Sequence, residues 1–110
     1  MGPVDVVQGQ LDAYNAQDMH AFMQFYAPNA VLANLNGDIL AEGADAIRAR
    51  YAKVFADFPQ NHARLVNRVA VGATVIDHED VTRAPGGERF EVAAIYTFRN
   101  GLIARVDFAK

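Results

Sequence analysis

Val4, Val7, Leu11 and Tyr14 fall within one narrow arc of a helical wheel, while Asp5, Gln8 and Asp12 point elsewhere, so the chain opens with an amphipathic helix whose last turn lies near Asn15. Asp18 is an N-cap for a second, shorter helix carrying Met19, Phe22, Met23 and Tyr26 at helical spacing, and Pro28 is expected to stop it. The apolar run over 30–35 reads as a strand, and the Asn36-Gly37 pair after it is a hairpin signal that lets 39–41 pair back as a stub. Helical periodicity returns between 43 and 58 through Ile47, Tyr51, Val54, Phe55 and Phe58, with Asp45 in the first turn and Pro59 beyond the end.

After Pro59 the pattern changes to period two and turn chemistry. Strands are predicted over 61–70, 73–83, 88–99 and 102–109, separated by Gly72, by Pro85-Gly86-Gly87 and by a second Asn-Gly at Asn100-Gly101. Short connections make these strands antiparallel neighbours. Three helices folded against a curved antiparallel meander form an α+β domain, and a sheet that wraps a helix leaves an internal cone.

Composition narrows the class of function. With 110 residues, 52% hydrophobic and 21% charged, the chain is expected to be one domain over 1–110 with a single core. A formal net charge of -3 argues against nucleic acid, which requires a basic excess. The absence of cysteine removes disulfides, zinc-thiolate sites and a cysteine nucleophile. No apolar run approaches the length of a bilayer span and the first residues show no basic-then-apolar pattern, so no membrane contact and a cytoplasmic location are expected.

Several strings carry a resemblance that covers nearly the whole chain. They are Tyr14-Asn15-Ala16-Gln17-Asp18, Tyr26-Ala27-Pro28-Asn29-Ala30-Val31 and Glu42-Gly43-Ala44-Asp45-Ala46-Ile47, then Phe98-Arg99-Asn100-Gly101-Leu102-Ile103 and Arg105-Val106-Asp107-Phe108. In these the chain resembles the nuclear transport factor 2-like superfamily, in its SnoaL-like and ketosteroid-isomerase-like group. The resemblance implies a cone-shaped α+β fold with an internal pocket, no cofactor, and a homodimer. It does not fix an activity, because the group spans isomerases, dehydratases, epoxide hydrolases, cyclases and proteins without chemistry.

Aligned with ketosteroid isomerases, the tyrosine, base and protonated-acid columns fall on Gln10, Asn34 and Tyr96. An amide cannot take the substrate proton, so standard steroid isomerisation is not expected. Limonene-epoxide hydrolases are matched at Asn34 and Asp107, but their middle-strand arginine and aspartate fall on Glu79 and Val81, so the epoxide-activating acid and its arginine are absent. Scytalone-dehydratase-like enzymes are matched by His62, Asn67 and Tyr14, with Asn15 in place of the aspartate that would orient the histidine.

Carrying the family's strand register over, with Asn34 facing the cone, places Leu32, His62, Arg64, Asp77, Glu79, Val81, Ala94, Tyr96, Arg105 and Asp107 inward as well. The candidate acid-base groups are therefore His62, Glu79 and Asp107, and the candidate ligand-binding groups are Tyr14, Asn34, Tyr96 and Arg105. Glu79, Arg105 and Asp107 can equally form a structural charge network. Arg105 and Asp107, two apart on the last strand, share a face in any regular register. No phosphate loop, metal-ligand spacing or serine nucleophile motif is present.

Three functions remain open. One is a cofactor-independent isomerase, dehydratase or hydrolase acting on a small apolar carbonyl or hydroxyl compound. The second is a pocket that binds a small hydrophobic ligand without chemistry. The third is a dimerisation module that covers outer-face residues such as Ile76.

Overall fold

The computed structural model describes residues 1–110. The chain runs α1 (Pro3–Ala16), α2 (Met19–Met23), β1 (Tyr26–Asn34), β2 (Ile39–Glu42), α3 (Ala44–Asp57), β3 (His62–Val71), β4 (Thr74–Thr82), β5 (Arg89–Arg99) and β6 (Leu102–Ala109). All six strands join one sheet in the order β2-β1-β6-β5-β4-β3. β3 to β6 form the expected antiparallel meander, and β1 closes onto β6 in parallel. α1 packs on β3, β4 and β6 while α3 packs on β1 and β2, so the fold is α+β with the helices over the concave face.

The helix boundaries follow from local chemistry. Pro3 stands in the first turn of α1, where its missing N–H costs nothing, and the Gly2 amide donates to Asp5 Oδ2 at 3.1 Å. Gln17 ends α1 in the left-handed region (φ 56°), and Asp18 Oδ1 accepts from the Ala21 amide at 3.0 Å to start α2. α2 stops at Met23, earlier than the helical spacing predicts, because the chain is already in strand at Tyr26, opposite Ile103. Pro28, expected to terminate the helix, lies instead inside β1. The β1–β6 ladder is interrupted between Tyr26 and Val31, so its missing donor leaves no hydrogen bond unmade there.

The two Asn-Gly turns differ. Asn100 and Gly101 both have positive φ (53° and 79°) and join Arg99 directly to Leu102, as a tight two-residue hairpin requires. At the first hairpin only Asn36 is left-handed, and the Asn34 amide reaches across to the Asp38 carbonyl at 2.9 Å, giving a three-residue loop.

Two bulges set which side chains face the helices. In β3 the register shifts between Leu65 and Asn67, and in β6 Ile103 and Arg105 pair with consecutive β5 residues, Phe98 and Thr97, leaving Ala104 as the extra residue. Ile103 therefore faces inward, and beyond the bulge so do Val106 and Phe108, which stand opposite the inward Tyr96 and Ala94. The core gathers Val7, Phe22, Leu32, Ile47, Val75 and Val106, all at most 1% exposed. A smaller cluster of Leu11, Ala63, Val81 and Val92 continues this core toward the open end of the cone. No helix is long and apolar enough to cross a membrane.

Candidate active site

Between α1, α3 and the concave face lies a cavity of about 100 Å³. Its inner wall carries Glu79 from β4, Tyr96 from β5, and Tyr14 and Gln10 from α1, while Asn34 closes one side of the opening. Alternation along β4 explains Glu79. Val75, Asp77, Glu79 and Val81 all point to the helices, and the strand is sealed on that face from end to end.

Glu79 is 8% exposed and makes no hydrogen bond or ion pair with the protein. No buried side-chain oxygen in the molecule is sealed off without a partner, so its carboxyl opens onto the cavity. Burial, reinforced by the negative charge of Asp77 and opposed by Arg68, pushes Glu79 from its ordinary value of 4.5 up to about 7. Asp77 itself is fully buried and held by Arg68, whose Nε and Nη2 donate to its two carboxylate oxygens at 2.7 and 2.9 Å. Arg68 Nη1 also donates to Gln8 Oε1 at 2.9 Å, fastening the pair to α1.

The phenols are oriented by amides. Gln10 Nε2 donates to the Tyr96 hydroxyl oxygen at 3.0 Å and to the Val7 carbonyl at 3.2 Å, while Gln10 Oε1 accepts from the Tyr26 hydroxyl at 3.2 Å. Asn61 Nδ2 donates to the Tyr14 hydroxyl oxygen, and Asn61 Oδ1 accepts from Arg83 Nη1 at 3.0 Å. In both Tyr14 and Tyr96 the oxygen already accepts an N–H, which leaves the phenolic O–H to donate into the cavity. Burial raises the pKa of both phenols, keeping them protonated as donors.

Four of the residues singled out from the sequence, Glu79, Tyr14, Tyr96 and Asn34, line this cavity. The other three are elsewhere. His62 is exposed and stands opposite Thr82 on the outer face of the sheet, because Ala63 is the residue that turns inward beside Val81. Asn15 fixes that choice by gripping both backbone groups of Ala63, accepting from its amide at 2.8 Å and donating to its carbonyl at 2.9 Å. Arg64, two residues on, likewise faces outward and pairs with Asp80. Arg105 and Asp107 do share a face and form an ion pair at 3.0 Å, but the bulge at Ala104 makes it the outer face. The expected Glu79–Arg105–Asp107 network is therefore replaced by Arg68–Asp77 beneath a solitary Glu79.

Asn61, Arg83, Arg50 and Tyr51 were not singled out from the sequence as site residues. Helical spacing places Tyr51 on the apolar face of α3, where it lines the cavity with no protein partner for its hydroxyl. Asn61 is buried at the entry to β3 and Arg83 follows the end of β4, positions where sequence pattern gives no direction to a side chain. No three or more His, Asp or Glu side chains converge as a metal-holding group.

Residues 7–106 match the model of the SnoaL-like domain. An uncharacterised cystatin-fold protein from Novosphingobium aromaticivorans is 34% identical, with 100% of this chain and 99% of that one covered at a TM-score of 0.94. A candidate polyketide cyclase from Sinorhizobium meliloti is 24% identical over 96% of this chain and 94% of its own, with a TM-score of 0.82. A candidate SnoaL-like polyketide cyclase from Jannaschia sp. is 19% identical over 97% and 83%, with a TM-score of 0.78. No curated protein matches the chain. With the family model spanning all but the ends of the chain and the same fold in these neighbours, the protein belongs to the SnoaL-like family of the nuclear transport factor 2-like superfamily.

Proposed function

We propose that the protein is a cofactor-independent enzyme that moves a proton on a small, largely apolar carbonyl compound, with Glu79 as the base. One observation carries this reading: a carboxyl without protein partners opens onto the same cavity as two phenols whose oxygens are already satisfied. The substrate carbonyl oxygen accepts from the Tyr14 or Tyr96 hydroxyl. The Glu79 carboxylate takes the proton from the adjacent carbon, and the negative charge that develops on oxygen is held by the phenolic donors. Return of that proton to a second carbon completes an isomerisation; loss of a β-hydroxyl, protonated as it leaves, completes a dehydration. A group with a pKa of about 7 is suited to both steps because it accepts and returns a proton at neutral pH.

The cavity volume limits the substrate. At about 100 Å³ it is of the order of an engineered cavity of ~150 Å³ that takes up benzene. A single ring or a short branched chain matches this space.

The test is solvent-deuterium incorporation next to the carbonyl of a panel of monocyclic ketones and enones, followed by NMR. Wild type is expected to exchange at least one of them, and Glu79→Gln to lose about 10²-fold or more of that rate. Equal exchange by the two proteins overturns the assignment of the base. Saturable binding of these compounds without exchange would mark the cavity as a binding site alone.

We also propose that the chain pairs with a second copy through the outer sheet face, where Val69, Ile76 and Ile95 stand side by side on three adjacent strands. Sedimentation is expected to give twice the monomer mass, and Ile76→Lys to return it to the monomer. A wild-type monomer at micromolar concentration overturns the pairing.

A further inference from the structure

The distribution of positive charge sets the cavity apart from the rest of the molecule. Five of the ten Lys and Arg side chains, Lys53, Arg64, Arg68, Arg89 and Arg105, are in ion pairs with carboxylates. Of the five that are not, Arg50, Arg83 and Lys110 line the cavity. Carboxylates are not scarce, since the chain has 13 acidic residues against 10 basic ones. Glu79 is the one acidic residue among those lining the cavity, and it pairs with none of these three cations.

Arg83 is the most tightly held of the three, and by neutral groups alone. Its guanidinium carbon lies 5.0 Å from the centroid of Phe58 and 4.8 Å from that of Phe90, and its Nη1 donates to the Asn61 carboxamide. Lys110 Nζ stands 4.8 Å from the same Phe90 ring. Aromatic faces and an amide fix the direction of a cation without cancelling its charge. Arg83 is half-buried, so part of its hydration is lost with no counter-charge from the protein to replace it. Glu79 does not serve as that counter-charge: it has no ion-pair contact, and the cation that bears on its ionisation is Arg68.

We propose that the ligand of this cavity is a small carboxylic acid, with its apolar body beside Glu79 and Tyr96 and its carboxylate held at the rim by Arg83, Arg50 and Lys110. The planar fork of Arg83 can meet a carboxylate with two parallel N–H bonds through the nitrogens not engaged by Asn61. This narrows the substrate class of the reading above, on which it rests only for the orientation of the ligand toward Glu79. An acid group at the rim also suits the chemistry, because it anchors the molecule away from the base and leaves the carbonyl end to meet the phenols.

The test reads binding and not turnover, so it separates the two proposals. Benzoate and benzamide, equal in size and different in charge, are titrated into the full chain and followed by NMR. Benzoate is expected to bind about tenfold or more tighter than benzamide, and Arg83→Gln to remove that preference while leaving benzamide unchanged. Glu79→Gln is expected to keep benzoate binding, whatever it does to catalysis. Arg50→Gln supplies the same comparison if Arg83→Gln does not fold, as judged by its melting curve. Equal affinity for the acid and the amide, no saturable benzoate binding, or a preference unchanged by loss of a rim cation overturns the proposal.

Discussion

The Gln10 carboxamide donates to the Tyr96 hydroxyl oxygen at 3.0 Å and accepts from the Tyr26 hydroxyl at 3.2 Å, so one buried amide on α1 sets the orientation of two phenols on the sheet. Both phenols and the amide are buried, with exposures of 4% to 6%, although Gln10 and Tyr96 border the cavity. Replacing Gln10 by Leu leaves the Tyr26 hydroxyl without its acceptor and the Tyr96 oxygen without its donor. The expected cost is about 2–4 kcal/mol, or roughly 10–20 °C in a thermal melt. Tyr96→Phe in the Gln10→Leu background should recover part of this loss, because it removes one orphaned group.

Glu79 makes stability depend on pH with a definite sign. The folded chain keeps its proton up to about pH 7, whereas the unfolded chain releases it near 4.5. Between these values the folded state binds more protons, so stability is full below 4.5, falls as pH rises, and has lost this contribution above 7. The full shift corresponds to roughly 3 kcal/mol. Glu79→Gln, which cannot ionise, should melt at the same temperature at pH 5 and 8 apart from other groups, and should exceed wild type at pH 8. A wild-type melt that rises across this window would contradict the burial of the carboxyl.

Arg68 holds the fully buried Asp77 through both carboxylate oxygens. Arg68→Met strands that charge in the core, with an expected loss of about 3–5 kcal/mol in denaturant unfolding. Replacing both partners, as Arg68→Met with Asp77→Leu, should restore most of it. Because the charge of Asp77 bears on Glu79 more strongly than that of Arg68, the double variant should also lower the pKa of Glu79.

His62 and Asp107, candidates for catalysis in the sequence, lie on the outer face. His62→Ala and Asp107→Asn should leave exchange of any ketone substrate unchanged. His62→Ala should also shift unfolding by no more than about 0.5 kcal/mol. Loss of activity in either variant, with the fold intact, would place the chemistry elsewhere.

The helices and strands were legible because helical and two-residue periods alternate with strong punctuation at Asp18, Pro59, Gly72 and Asn100-Gly101. Glu79, Tyr14 and Tyr96 were legible because each stands at an inward step of a regular element. In β3 the register carried over by resemblance places His62 and Arg64 inward, whereas the structure turns Ala63 and Leu65 to that face, opposite Val81 and Glu79. In β6 nothing in Leu102 to Ala109 marks Ala104 as surplus; that becomes visible only when Phe98 and Thr97 are seen to pair around it. Asn61 and Arg83 act from the ends of strands, where no period assigns a direction.

Ala104 therefore does more than kink an edge of the ladder. It is the tooth that keeps Val106 and Phe108 turned toward the helices and Arg105 and Asp107 toward solvent. Removing that one residue would step the strand by half its repeat, and the pocket would exchange an oily wall for an ion pair without any change of side-chain identity. In a sheet of this kind, chemistry can be gained or lost by insertion and deletion as readily as by substitution.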